Sequence, residues 1–187
     1  MIPPAWARWA PVLILAFLTG LAGCSRQSSR TPAAGSGNPA PTNVPSVQYH
    51  LNHAQPRLKT MKLWVGAQEV EAELAVNVTE IATGMMFRTN MTDAEGMLFI
   101  FGLPGQRSFY MRNCVVPLSA AYIDVNGVVD QIVDLHPGVE EPVPSRSDRI
   151  KYVLEVPQVW FQRYNGPTGS VVTTASGPLK QFSGILQ

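Results

Sequence analysis

Residues 118–135 read LSAAYIDVNGVVDQIVDL, two runs rich in apolar residues on either side of Asn126-Gly127. Asn-Gly between such runs is the strongest short hairpin signal, because its turn needs positive φ at both central positions. Residues 118–125 and 128–135 are therefore expected to be neighbouring antiparallel strands. Upstream, residues 107–113 alternate and would place Phe109, Met111 and Asn113 on one strand face. Residues 97–101 form a short apolar run suited to a buried strand. Residues 61–65 and 70–78 alternate around Gly66-Ala67-Gln68 as a second hairpin. Thr79 is placed to cap a short helix over 80–86, with Glu80 in its first turn. Downstream, 135–149 is a long loop holding Pro137, Pro142 and Pro144, and 151–156 is another strand. Pro157 suits the first turn of a helix running to Tyr164 and ended by Gly166. Residues 170–174 would close the sheet. Many short strands with frequent turn signals predict a mainly β domain, a compact β-sandwich or small barrel with two short helices.

The N-terminus reads differently. Residues 1–24 are MIPPAWARWAPVLILAFLTGLAGC, with Arg8 ahead of an apolar run and small residues before Cys24. That pattern is a secretory signal peptide. The apolar run is about 15 residues, short of the roughly 20 a spanning helix needs. Leu21-Ala22-Gly23-Cys24 resembles the bacterial lipobox, in which the cysteine is acylated and becomes the first mature residue. Acyl chains contribute about 0.8 kcal/mol per buried methylene, so the expected membrane partner is reached through lipid on Cys24. The resemblance implies an exported lipoprotein facing the periplasm or the cell exterior. Ser25 is compatible with the outer membrane of a diderm host. Residues 25–60 are rich in Pro, Ser, Gly, Ala and Asn and read as a disordered tether. The expected organisation is a signal over 1–23, a lipidated tether over 24–60, one domain over 61–175 and a tail over 176–187.

Charge and cysteine content narrow the function. The 14 basic and 13 acidic residues leave a net charge of +1. Removing Arg8 with the signal brings that near zero. No long-range field would gather nucleic acid, so no nucleic-acid partner is expected. With Cys24 acylated, Cys114 has no disulfide partner and is expected in the core.

Five blocks occur in one order: Gly84-Met85-Met86-Phe87-Arg88, Glu95-Gly96-Met97-Leu98-Phe99, Phe109-x-Met111-x-Asn113, Pro117-Leu118 and Tyr152-Val153-Leu154-Glu155-Val156-Pro157. Together they resemble domain-of-unknown-function family 192 across residues 62–175. The resemblance implies a compact β-sandwich or barrel, often exported, and no established reaction. Two positions depart from the family pattern. Ser119 stands where an Asp usually follows Pro-Leu, and Val159 stands where a Gly is common.

Standard catalytic signatures are missing from the sequence: there is no nucleophile elbow, zinc-binding His-Glu-x-x-His, phosphate loop or Cys-x-x-Cys. The polar residues inside the blocks, Arg88, Glu95, Asn113 and Glu155, are the candidate ligand-binding set. Arg suits a carboxylate or phosphate, and an Asn amide both donates and accepts. Arg88 is expected to pair with Glu155 or Glu95, and the Asn113 amide to be buried if its strand face is core. The leading expectation is a non-catalytic binder of a small polar ligand or envelope component, needing no cofactor. An enzyme using Arg88, Asn113 and Glu155 is the alternative, and a structural scaffold another. Met86, Met111 and Cys114 would be the soft ligands of a Cu(I)-binding accessory protein.

Overall fold

The computed structural model describes residues 48–179. The signal, Cys24, most of the tether and residues 180–187 lie outside them. In chain order the strands are β1 (Thr60–Val65), β2 (Gln68–Ala75), β3 (Glu95–Gly105), β4 (Ser108–Phe109), β5 (Leu118–Asp124), β6 (Val129–Leu135), β7 (Val143–Pro144), β8 (Ile150–Pro157), β9 (Val172–Thr174) and β10 (Gly177–Pro178). Helix α1 (Val78–Thr83) joins β2 to β3, and α2 (Trp160–Arg163) follows β8. Eight strands form one curled half-barrel sheet in the order β10-β9-β1-β2-β3-β8-β5-β6, while β4 pairs with β7 apart from it. The ends of the large sheet approach one another, with Val128 bridging Val171 and the Val172 N–H donating to the Gly127 carbonyl at 2.8 Å.

The central strands β3, β8 and β5 are buried on both faces, which is why they read as nearly continuous apolar runs. Alternate residues divide between two cores. Leu98, Ile100, Ala121, Ile123, Tyr152 and Leu154 face one, together with Trp160 and Phe161 from α2. Met97, Phe99, Ala120, Tyr122 and Val153 face the other, beneath Met85, Met86, Met111 and Cys114. The first core is enclosed by the sheet's own curvature and by α2. The second is covered largely by irregular chain.

Several local expectations are corrected. Asn77, not Thr79, caps α1: its side chain accepts from the Glu80 N–H while the Glu80 carboxylate receives the Asn77 N–H, a capping box. The β5–β6 turn is not a two-residue Asn-Gly loop. The Asp124 carboxylate gathers the N–H groups of Asn126 and Val128, and of the Asn-Gly pair it is Gly127 that takes positive φ, 80°. Only residues 108–109 of the run 107–113 are strand. Asn113 is an exposed turn residue at φ 57°, a conformation Asn tolerates well. Pro157 ends β8 instead of starting α2. Residues 51–59, assigned by composition to the tether, run along the domain. The Leu51 N–H donates to Thr83 Oγ1, and buried Gln55 donates to the Gly84 carbonyl at 2.9 Å. The expected tail contributes β10 and the fully buried Leu179.

Both departures from the family pattern acquire a physical reading. Ser119 is fully buried opposite Asp134; its hydroxyl donates to that carboxylate and accepts the Val159 N–H at 2.9 Å. An aspartate here would set a second carboxylate against Asp134. Val159 sits at φ 59°, where a β-branched side chain crowds its own backbone and glycine does not. Relief of that strain outweighs the extra chain entropy glycine has when unfolded. Val159→Gly is therefore expected to stabilise the domain by about 1 kcal/mol, measurable as a higher thermal midpoint. An unchanged or lower midpoint would mean the Val159 side chain compensates for its backbone.

Candidate functional site

Strand pairing puts two glutamates on one row. Glu73 of β2 is opposite Met97 of β3, Met97 is opposite Glu155 of β8, and Glu155 is opposite Ala120 of β5. The two acids are two strand spacings apart, roughly 10 Å. Each is only 4% exposed, yet their surroundings differ completely.

Glu73 is surrounded by donors. Arg88 binds it bidentately at 3.0 and 2.9 Å, Arg57 adds a contact at 2.9 Å, and the Leu58 N–H donates at 2.7 Å. Burial pushes this acid up, but the Arg88 and Leu58 hydrogen bonds and the Arg88 charge outweigh it. The carboxyl stays below its ordinary range. Arg57 also reaches Glu95 at 2.9 Å, whose other oxygen accepts the Thr92 N–H and hydroxyl. Arg88 and Glu95 thus belong to a network that pins the 51–59 segment to the sheet. The partner of Arg88 is Glu73, a residue with no distinguishing mark in the sequence, rather than Glu155 or Glu95.

Glu155 has no hydrogen-bond partner among the described residues. Burial raises its carboxyl from the ordinary 4.5 to about 8, so it is largely neutral at pH 7. It lies on the wall of a cavity of about 320 Å³ beneath the irregular cover. Around it stand Phe99 and Phe109, packed edge to face at 4.9 Å, and Met85, Met86 and Cys114. Gly84 closes one side at φ 47°; a Cβ there would come within 3.1 Å of the Phe99 ring. On the strand beside Glu155, Gly96 is equally constrained, since a Cβ would meet the Glu155 carbonyl at 3.1 Å.

Arg107 also lines this cavity, and nothing in its sequence setting singles it out. Its guanidinium lies 4.0 Å over the Phe101 ring and donates through Nη2 to the Leu103 carbonyl. Burial lowers its pKa, its Nε is buried without a partner, and no carboxylate pairs with it among the described residues. Asn113 does not line the cavity, and its amide reaches Met86 Sδ at 3.9 Å. The structure therefore disperses the candidate set. Glu155 is in the cavity, Asn113 is outside it beside Met86, and Arg88 and Glu95 are in the Glu73 network.

Of the soft residues, Met86 and Cys114 line the cavity, and Met111 is buried in the same core. Burial, then the nearby Glu155, pushes the Cys114 thiol up to about 12, so it is protonated at neutral pH. A metal here would have to displace that proton. No group of three or more His, Cys, Asp or Glu is arranged for a metal among the described residues.

A family model, DUF192, described as an uncharacterized ACR, matches residues 60–174. No curated protein matches. Similar solved structures include the following two. One, from Sinorhizobium meliloti 1021 and described there as a proposed transcription regulator, is 26% identical with a TM-score of 0.60, covering 65% of this chain and 98% of its own. The other, a protein of unknown function from Novosphingobium aromaticivorans DSM 12444, is 31% identical with a TM-score of 0.59, covering 62% and 85%.

Arg88→Met leaves Glu73 buried with only its remaining donors and should cost about 3 kcal/mol in chemical denaturation. A loss under 1 kcal/mol would show the pair to be dispensable. Glu155 gives a pH signature of defined sign. Its folded value exceeds its unfolded one, so between about pH 4.5 and 8 the native state holds a proton that the unfolded state has released. Stability falls through that window, by up to about 1.4 kcal/mol per pH unit, and the penalty is complete above it. Glu155→Gln should flatten the decline when thermal midpoints are compared across the window; an unchanged slope would mean that Glu155 is ionised in the fold.

Proposed function

The chain belongs to the DUF192 family, and from that premise we propose that it is a lipid-anchored envelope protein whose domain binds a small organic molecule in the Glu155 cavity. One observation carries the binding reading: a carboxyl 4% exposed, with no partner among the described residues, faces a cavity of about 320 Å³. Leaving a buried polar group unpaired costs roughly 1–3 kcal/mol. A ligand that accepts from or donates to Glu155 recovers this. The walls match such a ligand in kind, apolar and aromatic around a few polar groups. Chemistry at Cys114 is not part of the proposal, because its thiol is protonated. Anchoring rests on the sequence around Cys24, and the tether would hold the domain clear of the membrane surface.

The test is a thermal-shift panel of organic acids, amines, sugars, nucleotides, muropeptides and Cu(I) on the full chain and on Glu155→Gln. A ligand at 100 times its dissociation constant adds about 2.7 kcal/mol, a shift of several degrees. The expected result is a shift with one chemical class, lost or weakened at least tenfold in Glu155→Gln. Silence throughout the panel, with Glu155→Gln merely stabilised above pH 7, would make the cavity a packing defect. A Cu(I) shift that persists in Glu155→Gln and disappears on changing Met86 and Cys114 would move the site to the sulfur atoms.

A further inference from the structure

Glu155 and Arg107, whose Nε has no partner, stand at different places along the sheet. In β8, Tyr152 is opposite Ile100 and Ile150 is opposite Gly105, so Phe101 lies about level with Lys151, four residues from Glu155. At strand rise that is roughly 13 Å. The Arg107 guanidinium, stacked on Phe101, marks one end of this span and the Glu155 carboxyl the other. Subtracting a hydrogen bond of about 2.9 Å at each end leaves roughly 7 Å for the body of a ligand.

Charge selects what the ends must be. Arg107 has no carboxylate partner among the described residues, and a guanidinium fork is matched by a carboxylate. A ligand carrying only an amine would meet Arg107 unfavourably, and one carrying only a carboxylate would leave Glu155 unpaired. A second acidic end would gain only one hydrogen bond from the neutral Glu155 acid, whereas an ammonium end draws off the carboxyl proton and gains an ion pair as well. Phe99, Phe109 and Tyr110 line the space between, an aromatic wall against which an apolar chain can pack. We propose that the cavity takes an ω-amino acid: its carboxylate on Arg107, its ammonium on Glu155, and an apolar chain between them along the aromatic wall. This deepens the reading of the cavity as a binding site and rests on it. Binding converts the neutral Glu155 acid to carboxylate; the ligand keeps its ammonium proton, and the carboxyl proton passes to solvent.

The experiment is calorimetric titration of the full detergent-solubilised chain with three probes of one length: ε-aminocaproate, caproate and hexylamine. ε-Aminocaproate should bind at least tenfold more tightly than either singly charged probe. Its heat at pH 7 should differ between phosphate and Tris buffers, as proton release demands. Arg107→Met should reduce its affinity at least tenfold, towards that of hexylamine, and Arg107→Lys should restore most of the loss. If hexylamine binds as well as ε-aminocaproate, or Arg107→Met changes nothing, the two-pole inference fails and the cavity reading stands. The same holds if a panel ligand dependent on Glu155 is not displaced by ε-aminocaproate. If neither the panel nor any of the three probes binds, both fail. Should Arg107→Met not fold, the ranking of the three probes on the native chain decides alone.

Discussion

Burial of β3, β8 and β5 on both faces is the constraint from which the rest of the molecule follows. A sheet with one wet face needs a single core, whereas this one needs two covers. The sheet curls to enclose the first core, and α2 seals it with Trp160 and Phe161, anchored where the Trp160 indole donates to the Asp93 carbonyl at 2.9 Å. Among the described residues only the two-residue strands β4 and β7 and the short α1 contribute regular structure to the second face. It is covered by the chain around 84–91, 106–116 and 143, with Phe87 at φ 63° and Asn113 at φ 57° joined through the Phe87 N–H and the Asn113 carbonyl. Irregular chain cannot interdigitate with a sheet as a helix stripe does, and the cavity lies where the two fail to meet.

Two acids on one sheet face differ in protonation because only one of them borders that cavity. Glu73 lies where Arg57, Arg88 and the Leu58 N–H converge, so it is buried as an ion. Glu155, two strands away, faces largely apolar walls and the cavity, and burial without a hydrogen-bonded donor holds it neutral. Environments that drive paired carboxyls apart in this way are a recurrent mark of sites that handle protons or charge. Here the difference arises from which strands lie next to which loops. The acids themselves are alike in exposure.

How much could be read from the chain follows from the same geometry. Strand alternation and the apolar runs were sufficient for the mainly β architecture, and five sequence blocks for the family. The capping box escaped because Asn77 and Thr79 are both good caps, and only the position of Glu80 relative to Asn77 separates them. The partner of Arg88 escaped for a deeper reason. Glu73 and Met97 are neighbours because β2 and β3 run parallel across α1, and a hairpin reading does not supply that pairing. The 107–113 run alternates like a strand but leaves the sheet after residue 109, where Asn113 serves the backbone and not a face. Arg107 carried no signal, since its meaning depends on what fails to pair with it.

The two ends of the cavity are held by unequal but firm supports, and this matters for any ligand that must reach both. Glu155 lies in a ladder paired on both sides, by β3 and by β5. Arg107 is fixed through its backbone: its N–H donates to Ser145 Oγ at 3.0 Å and its carbonyl accepts the Ser145 N–H at 2.7 Å, beside the small β4–β7 sheet. The Arg107 side chain is restrained in turn by its stacking on Phe101 and its hydrogen bond to the Leu103 carbonyl, which lowers the entropy left to lose on binding. The separation between the ends is then set by the register shift between Ile100 and Gly105, where β3 leaves its regular pairing with β8. Shortening that irregular stretch by a residue would move Arg107 along the sheet and flip the side chains that follow to the other face. The spacing between the Arg107 and Glu155 ends therefore resides in a bulge of β3 rather than in any residue that lines the cavity.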